Sequence, residues 1–357
     1  MVSEDIPSPD PAASSADDRP LPAVEAPTGA FIMQLFLIPL VIVAIIVSTW
    51  LLIGWLAHAD ADPRRLAEEI RRQRNGSWQQ AYTLSNMLRS GKYKSLRTDS
   101  ELCGSLINTL EGSLAQKTNT EQAVKLRVFL CLALSRFELE DPIPILVRVA
   151  QRKTGQDVEV RFAAVQALAV FADSLGAKLV QFRPDVVDTL IAITEETSSG
   201  ESRHEMGELQ ASAAFALGVT GGSKSLDRLS ELLNAAYANI RFNAATGLAW
   251  HGDPHAAPVL LEMLDPDNSG LMEGELNNSK SPNSLTRQSV LESRQVLVIG
   301  SAIRAVNRLS RSGAEFDRET FKQTLTKITK SKLPKTVRTR ATEALILLGK
   351  TAVKPAA

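Results

Sequence analysis

The chain has 357 residues, 44% of them hydrophobic and 22% charged, which excludes a chain disordered throughout; at roughly 150 residues per domain the length suits two domains or one extended array. Forty basic residues balance forty acidic ones, so no whole-chain field selects a charged partner. Two cysteines, Cys103 and Cys131, exclude a disulfide scaffold, and four histidines leave little material for a histidine-based catalytic or metal site. Both cysteines are expected in the core.

Residues 1–30 are rich in Pro, Ala, Ser and Asp, with six acidic residues against the single basic Arg19 and no apolar period. Such a stretch cannot bury enough surface to offset its ordering, and an acidic disordered tail is expected. Residues 31–56, Phe31 to Leu56, follow without one charge, 26 residues of which seventeen are Leu, Ile, Val or Phe. A bilayer-spanning helix needs about 20 residues. Trp50 and Trp55 near the far end suit an interfacial belt, and a single transmembrane helix in a lipid bilayer is the expectation. Ala57-His58-Ala59 matches a signal-peptide cleavage pattern, so an exported solenoid after cleavage stays open as an alternative. The long acidic stretch before it and the length of the apolar run speak against that.

Residues 57–98 hold an Arg-rich juxtamembrane helix and a degenerate first repeat at Trp78 to Leu88. Arg64, Arg65, Arg71, Arg72 and Arg74 lie close after the span, against Arg19 before it. The positive-inside rule then puts the N-terminus outside and the C-terminal side in the cytoplasm.

From 99 to 350 the segments are helical and they repeat. Val160-Arg161-Phe162-Ala163-Ala164-Val165-Gln166-Ala167-Leu168 is copied by Ile240 to Leu248 and by Val337 to Leu345. Each copy has an aliphatic residue, Arg, a small residue three later and Leu four after that. The structural positions are Arg161, Ala164 and Leu168; Arg241, Ala244 and Leu248; and Ala341 and Leu345 with Arg338. Looser copies hold Ala213 and Leu217 after Gln210, and Arg127 with Leu130 and Leu134. The spacing puts aliphatic, alanine and leucine on one helical face, where the alanine admits a neighbouring helix and the leucine fills the groove beside it. Between these lie amphipathic helices at Pro142 to Ala150, Pro184 to Glu195, Ser225 to Asn234, Ala256 to Leu264 and Asp317 to Lys330. Each pair is a hairpin that buries its apolar face only by stacking, and about six are expected.

The pattern resembles the HEAT repeat family, including the HEAT-like repeats of phycobilin lyases, over roughly Asp99 to Lys350. Asp157 before Val160-Arg161, and Thr336 before Val337-Arg338, look like the family's helix caps. The anchor followed by such helices resembles uncharacterised bacterial membrane-anchored HEAT-repeat proteins. The resemblance implies an all-α solenoid of HEAT-like hairpins preceded by a single transmembrane helix. It specifies no chemistry.

Residues 265–288 interrupt the array as an excursion loop rich in Asn, Ser, Gly and Pro, and 351–357 form a short tail. The repeat at Leu297 to Leu309 carries Ser301, Ala302 and Ala305 without a clean signature. His251 and His255 are four apart, but Gly252 and Pro254 break any helix that would align them on a metal. His204-Glu205 is a single pair, where the iron hydroxylases built on HEAT repeats use several on facing repeats. No phosphate loop, dinucleotide fingerprint or nucleophile elbow is present. No catalytic, cofactor-binding or metal residue is assigned, and no small-molecule substrate is evident.

The expected function is a scaffold that binds protein partners at the cytoplasmic face of a membrane. An enzyme on a HEAT scaffold, phycobilin-lyase-like or hydroxylase-like, is the alternative. The candidate partner surface is the C-terminal end: Lys322, Lys327, Lys330, Lys332, Lys335, Arg338 and Arg340, with Lys350 and Lys354, face the lone Glu343 over residues 320–357. Such a field attracts an acidic partner. With only Phe321 to stack on bases, an acidic protein is favoured over nucleic acid.

Overall fold

The structure, a computed structural model, describes residues 29–57, 62–72, 76–116, 118–152, 155–197, 203–268 and 284–349. The tails at 1–28 and 350–357 and the stretch 269–283 lie outside the described residues. The chain divides into two compact units, Met1–Ala61 and Asp62–Ala357.

In the first unit, α1 (Gly29–Ala57) is one helix with Pro39 inside it. Its described side chains over 37–52 are all exposed, Trp50 and Leu40 among them. Among the described residues, no helix is long and apolar enough to cross a membrane. The expected spanning helix over Phe31 to Leu56 therefore includes positions whose side chains lie outside the described set.

The second unit is helical, with no strand among its described residues. Its helices are α2 (Pro63–Arg71), α3 (Ser77–Arg89), α4 (Ser100–Ala115), α5 (Glu121–Leu134), α6 (Ile143–Ala150), α7 (Val158–Leu175) and α8 (Ala177–Phe182). There follow α9 (Pro184–Glu195), α10 (Arg203–Thr220), α11 (Ser223–Leu232), α12 (Ala238–Trp250), α13 (Ala257–Leu264), α14 (Ser284–Arg311), α15 (Arg318–Lys330) and α16 (Lys335–Gly349). They pair as α2 with α3, α4 with α5, α6 with α7, α9 with α10, α11 with α12, α13 with α14 and α15 with α16. The second helices form a continuous row, α3–α5–α7–α10–α12–α14–α16, each packed on the next. That makes seven hairpins among the described residues. The array starts at Pro63, where α2 packs on α4 and α3 on α5, so the Arg-rich helix and the degenerate repeat at Trp78 to Leu88 together make its first hairpin.

Local chemistry explains the ends. Asp62, Asp99, Thr120, Asp157 and Asp317 are N-caps whose side chains accept from backbone N–H groups, Asp157 from Glu159 at 2.9 Å. Thr336 is not a cap: α16 begins at Lys335, and Thr336 lies inside its first turn. Gly221 and Gly222, with φ of +68° and +80°, make the reversal from α10 into α11 that only glycine adopts without strain. The excursion after α13 is shorter than its composition suggests, since α14 is already helical at Ser284.

The row's packing face is the one the repeat predicts. Ala164, Leu168, Ala213, Leu217, Ala244, Leu248 and Ala341 are fully buried. In α14 the same register falls on Ala305 and Leu309, also fully buried. Leu345 is only half-buried and Leu348 takes the inner position, because no further helix among the described residues stacks on α16. A close approach in the row joins α10 to α12: a Cβ on Gly218 would lie 2.7 Å from the Cα of Gly247.

Candidate functional site

The repeated arginine is a clamp between hairpins. Arg161 is 1% exposed; its Nε donates to the Ala150 carbonyl at the end of α6 at 2.9 Å, and its two Nη groups donate to both oxygens of Glu196, just past α9, at 3.0 and 2.6 Å. It therefore closes its own hairpin and ties it to the next. Arg241 repeats this on the Ala235 and Ala236 carbonyls and on Glu262 of α13. Gln210, at the arginine position of α10, donates to the Thr194 and Glu196 carbonyls. Arg127 is buried on neutral partners only, the Ser113 hydroxyl and carbonyl, Asn119 and Gln156, and burial pushes its pKa down. These side chains satisfy the carbonyls a helix end leaves orphaned. They are structural. Arg338, at the same position of α16, is exposed.

The opposite face of the second-helix row carries a groove of about 1080 Å³, lined from α5 to α14. Its floor is apolar. Phe215 and Trp250 meet edge to face at 5.7 Å between centroids, Phe162 and Val219 flank them, and Leu297 is 70% exposed. An exposed leucine beside a half-exposed aromatic pair is the kind of apolar patch that binding surfaces present. Arginines stand at both ends, and Asp173 and Glu208 also belong to the lining. At the α14 end, Arg304 and Arg340 converge over Gly300, with their Nη1 atoms 3.7 to 3.8 Å from where its Cβ would lie, and Arg308 donates to the Trp250 carbonyl. At the α5 end stands Arg136.

One wall is a polar network. The Tyr237 hydroxyl donates to Glu208 at 2.5 Å and lies 3.0 Å from His204 Nδ1; Asn239 donates to Glu208 at 2.6 Å, and Arg294 donates to Asn239 at 2.7 Å. Burial, then the Glu208 carboxylate, raise the Tyr237 pKa far above its usual value. The phenol stays a donor, unsuited to act as a base near neutrality, and the network fixes the α11–α12 turn against α10.

The sequence-assigned basic residues fall into separate places. Lys322 pairs with Glu319 at 2.6 Å. Lys327 and Lys332 line a second cavity, about 1320 Å³, beside Asp265, Asp267 and Glu292. Lys330, Lys332, Lys335 and Arg338 are exposed. Arg340 lies beside Arg304 over Gly300, outside the groove lining, while Lys350 and Lys354 lie outside the described residues. Four of the arginines after the span are paired, Arg64 with Asp99, Arg65 with Glu69, Arg71 and Arg72 with Glu68, and Arg74 lies outside the described residues. His251 spends its Nε2 on the Gly218 carbonyl at 2.9 Å, and His255 spends its Nδ1 on Asp253 at 2.7 Å, so the two point to different partners. Cys103 and Cys131 are buried, which pushes both thiols up to about 12.

A family model described as HEAT repeats matches residues 201–275, which contain α10 to α13. Among solved structures, the archaeal HEAT-like repeats protein from Thermococcus onnurineus NA1 is 13% identical. It aligns over 82% of this chain and 98% of its own with a TM-score of 0.42. Human deoxyhypusine hydroxylase in complex with glycerol is 16% identical, over 76% of this chain and 96% of its own, with a TM-score of 0.25. No curated protein sequence matches the chain. The stretch from α10 to α13 thus matches HEAT repeats, and the hairpins on either side stack on it in the same row.

Proposed function

We propose that this HEAT-repeat array is a scaffold tethered to a membrane by α1, with its partner, an acidic protein segment, lying along the groove of the second-helix row at the cytoplasmic face. The observation that carries the groove is its layout: an apolar floor at Phe215, Trp250 and Leu297, exposed at Phe215 and Leu297, between arginine-bearing ends. Burying the floor supplies affinity, at about 25 cal/mol per Å² of apolar surface before association costs. The arginines select the partner's charge and steer its approach. The tether rests on the sequence of the 29-residue helix, which has no charge along its length. Its orientation rests on the five arginines that follow.

The test is recovery of bound proteins from detergent-extracted full chain, compared with a Phe215→Ser/Leu297→Ser variant and a Lys327→Glu/Lys332→Glu variant. Both pairs include exposed positions, so the fold should persist. Loss of partners in the first variant alone supports the groove, and loss in the second alone moves the site to the C-terminal cavity. A mature form beginning near Asp60 in the soluble fraction refutes the tether.

A further inference from the structure

A third cavity, about 410 Å³, opens where α3, the 3₁₀ turn Gly91–Thr98, the end of α5 and the end of α7 meet. Three guanidinium groups line it, from Arg89, Arg97 and Arg136. Arg97 is fixed: its Nε donates to the Leu88 carbonyl at 2.9 Å and its Nη2 to the Arg89 and Ser90 carbonyls, while its own carbonyl accepts from the Glu138 N–H at 2.8 Å. That last bond docks the 3₁₀ turn against the segment carrying Arg136. The guanidiniums of Arg89 and Arg136 make no hydrogen bond or ion pair among the described residues.

An arginine at a helix C-terminus is ordinary, since the dipole there favours a cation. Arg89 ends α3 and Arg136 follows α5, so each has that account singly. It does not account for three cations sharing one cavity. Arg136 feels burial, then Arg89 and Arg97, all of which push its pKa down, and no carboxylate pushes it back. Glu138 and Glu140 line the same cavity without pairing to any of the three. The field of Glu140 reaches Arg183, already held by Asp185. Like charges that share a cavity with no carboxylate paired to them repel one another, and an anion bound between them would relieve that repulsion. Guanidinium groups match phosphate oxygens bidentately.

We infer that Arg89, Arg97 and Arg136 form a binding site for a phosphate-class oxyanion, held in the cavity between the ends of α3, α5 and α7. Free Nη hydrogens on Arg89 and Arg136 supply direct donors. Arg97, half-spent on the α3 carbonyls, supplies fixed charge. Arg136 also lines the long groove, so a phosphate ester on a segment lying there can reach the cavity, a step that rests on the groove reading. The anion site itself does not.

The experiment is thermal unfolding and calorimetric titration of the detergent-extracted full chain with inorganic phosphate, against chloride at equal ionic strength, in wild type, Arg136→Gln, Arg89→Gln and a control, Arg340→Gln. Wild type should be stabilised by phosphate, as mass action requires of a ligand that binds only the folded state. Arg136→Gln and Arg89→Gln should bind phosphate about tenfold more weakly or worse. In chloride both should be as stable as wild type or more so, because repulsion is relieved, and Arg340→Gln should bind normally. An equal phosphate response in all four proteins overturns the site. So does a loss of stability in chloride for the exposed Arg89→Gln, which would show that its charge serves the fold. Repeating the titration with a phosphoserine peptide separates the sources: tighter binding than inorganic phosphate means that the group arrives on a chain, and equal binding means a free anion. Failure of the groove variants to lose partners leaves this titration unaffected, so the two readings fail separately.

Discussion

The glycine contact between α10 and α12 allows the stacking geometry to be tested with single methyl groups. A Cβ on Gly247 would lie 2.7 Å from the Gly218 Cα and 2.9 Å from Leu229 Cδ1, where ordinary contact needs about 3.5–4 Å. Gly247→Ala must therefore push the α10 and α12 backbones about 1 Å further apart, an overpacking that costs about 1–3 kcal/mol. Alanine gains about 0.8–1.0 kcal/mol over glycine by helix propensity alone, so the sign of the net effect depends on the contact. Gly104, inside α4, has nothing within 4 Å of its Cβ position, and there the propensity gain stands alone. The gain is common to both variants, so their difference isolates the clash at about 1–3 kcal/mol. At roughly 2 °C per kcal/mol for a unit of this size, thermal unfolding followed by circular dichroism should separate the midpoints by about 2–6 °C, Gly104→Ala above wild type and Gly247→Ala below Gly104→Ala. Equal stabilisation by both substitutions would refute the close helix crossing.

Arg161→Met should destabilise by about 3 kcal/mol, because it orphans the Ala150 carbonyl and leaves the Glu196 carboxylate only Arg152 at 3.8 Å, whereas Arg338→Met, exposed at the same repeat position, should be near neutral; urea unfolding decides. Ala164→Arg and Ala244→Arg should each cost several kcal/mol by forcing a cation into a fully buried position, with hydrogen exchange accelerated in the neighbouring hairpins; unchanged exchange would misplace the packing face. Native Cys103 and Cys131 should resist alkylation at pH 8, since burial holds both thiols near 12, so topology must be read from an introduced exposed cysteine such as Ser95→Cys, which is expected to label only from the cytoplasmic side. Asp99 is held below the usual carboxylate range by the Leu102 N–H and by Arg64. Its contribution is present above about pH 4 and lost as pH falls through the lowered folded value, so Asp99→Asn should flatten the acid limb of a stability–pH curve.

The packing register was legible because it is periodic. Ala164 with Leu168 and Ala244 with Leu248 repeat one spacing, and burial follows it. Asp157 announced its cap for the same local reason. The first hairpin was legible only as a degenerate repeat: α3 buries Ala81, Leu84 and Leu88 but lacks the arginine of the signature, and its Trp78 and Tyr82 meet Phe129. Leu345 and Arg338 carry the signature without its environment, since burial and clamping both need a next repeat. Gln210 shows the converse, a clamp without the arginine. The groove was hidden for a further reason. Phe215 and Trp250 sit on helices apolar on both faces, so periodicity could not separate a residue facing the groove from one facing the core. The arginine cavity joins residues 89, 97 and 136, which no spacing rule connects; only the docking of the 3₁₀ turn on the end of α5 brings them together. The basic C-terminal run was visible as charge, but the fold sends it to different faces.

That a partner lies in the groove is tested most directly by a photo-crosslinking residue in place of Leu297, with the same residue at Lys330 on α15 as reference. In membranes from the native host, a partner in the groove predicts one acidic protein crosslinked at 297, competed away when Phe215 is changed to Ser, and nothing in common at 330. The same adducts at both positions, or a 297 adduct that ignores the Phe215 change, would contradict it.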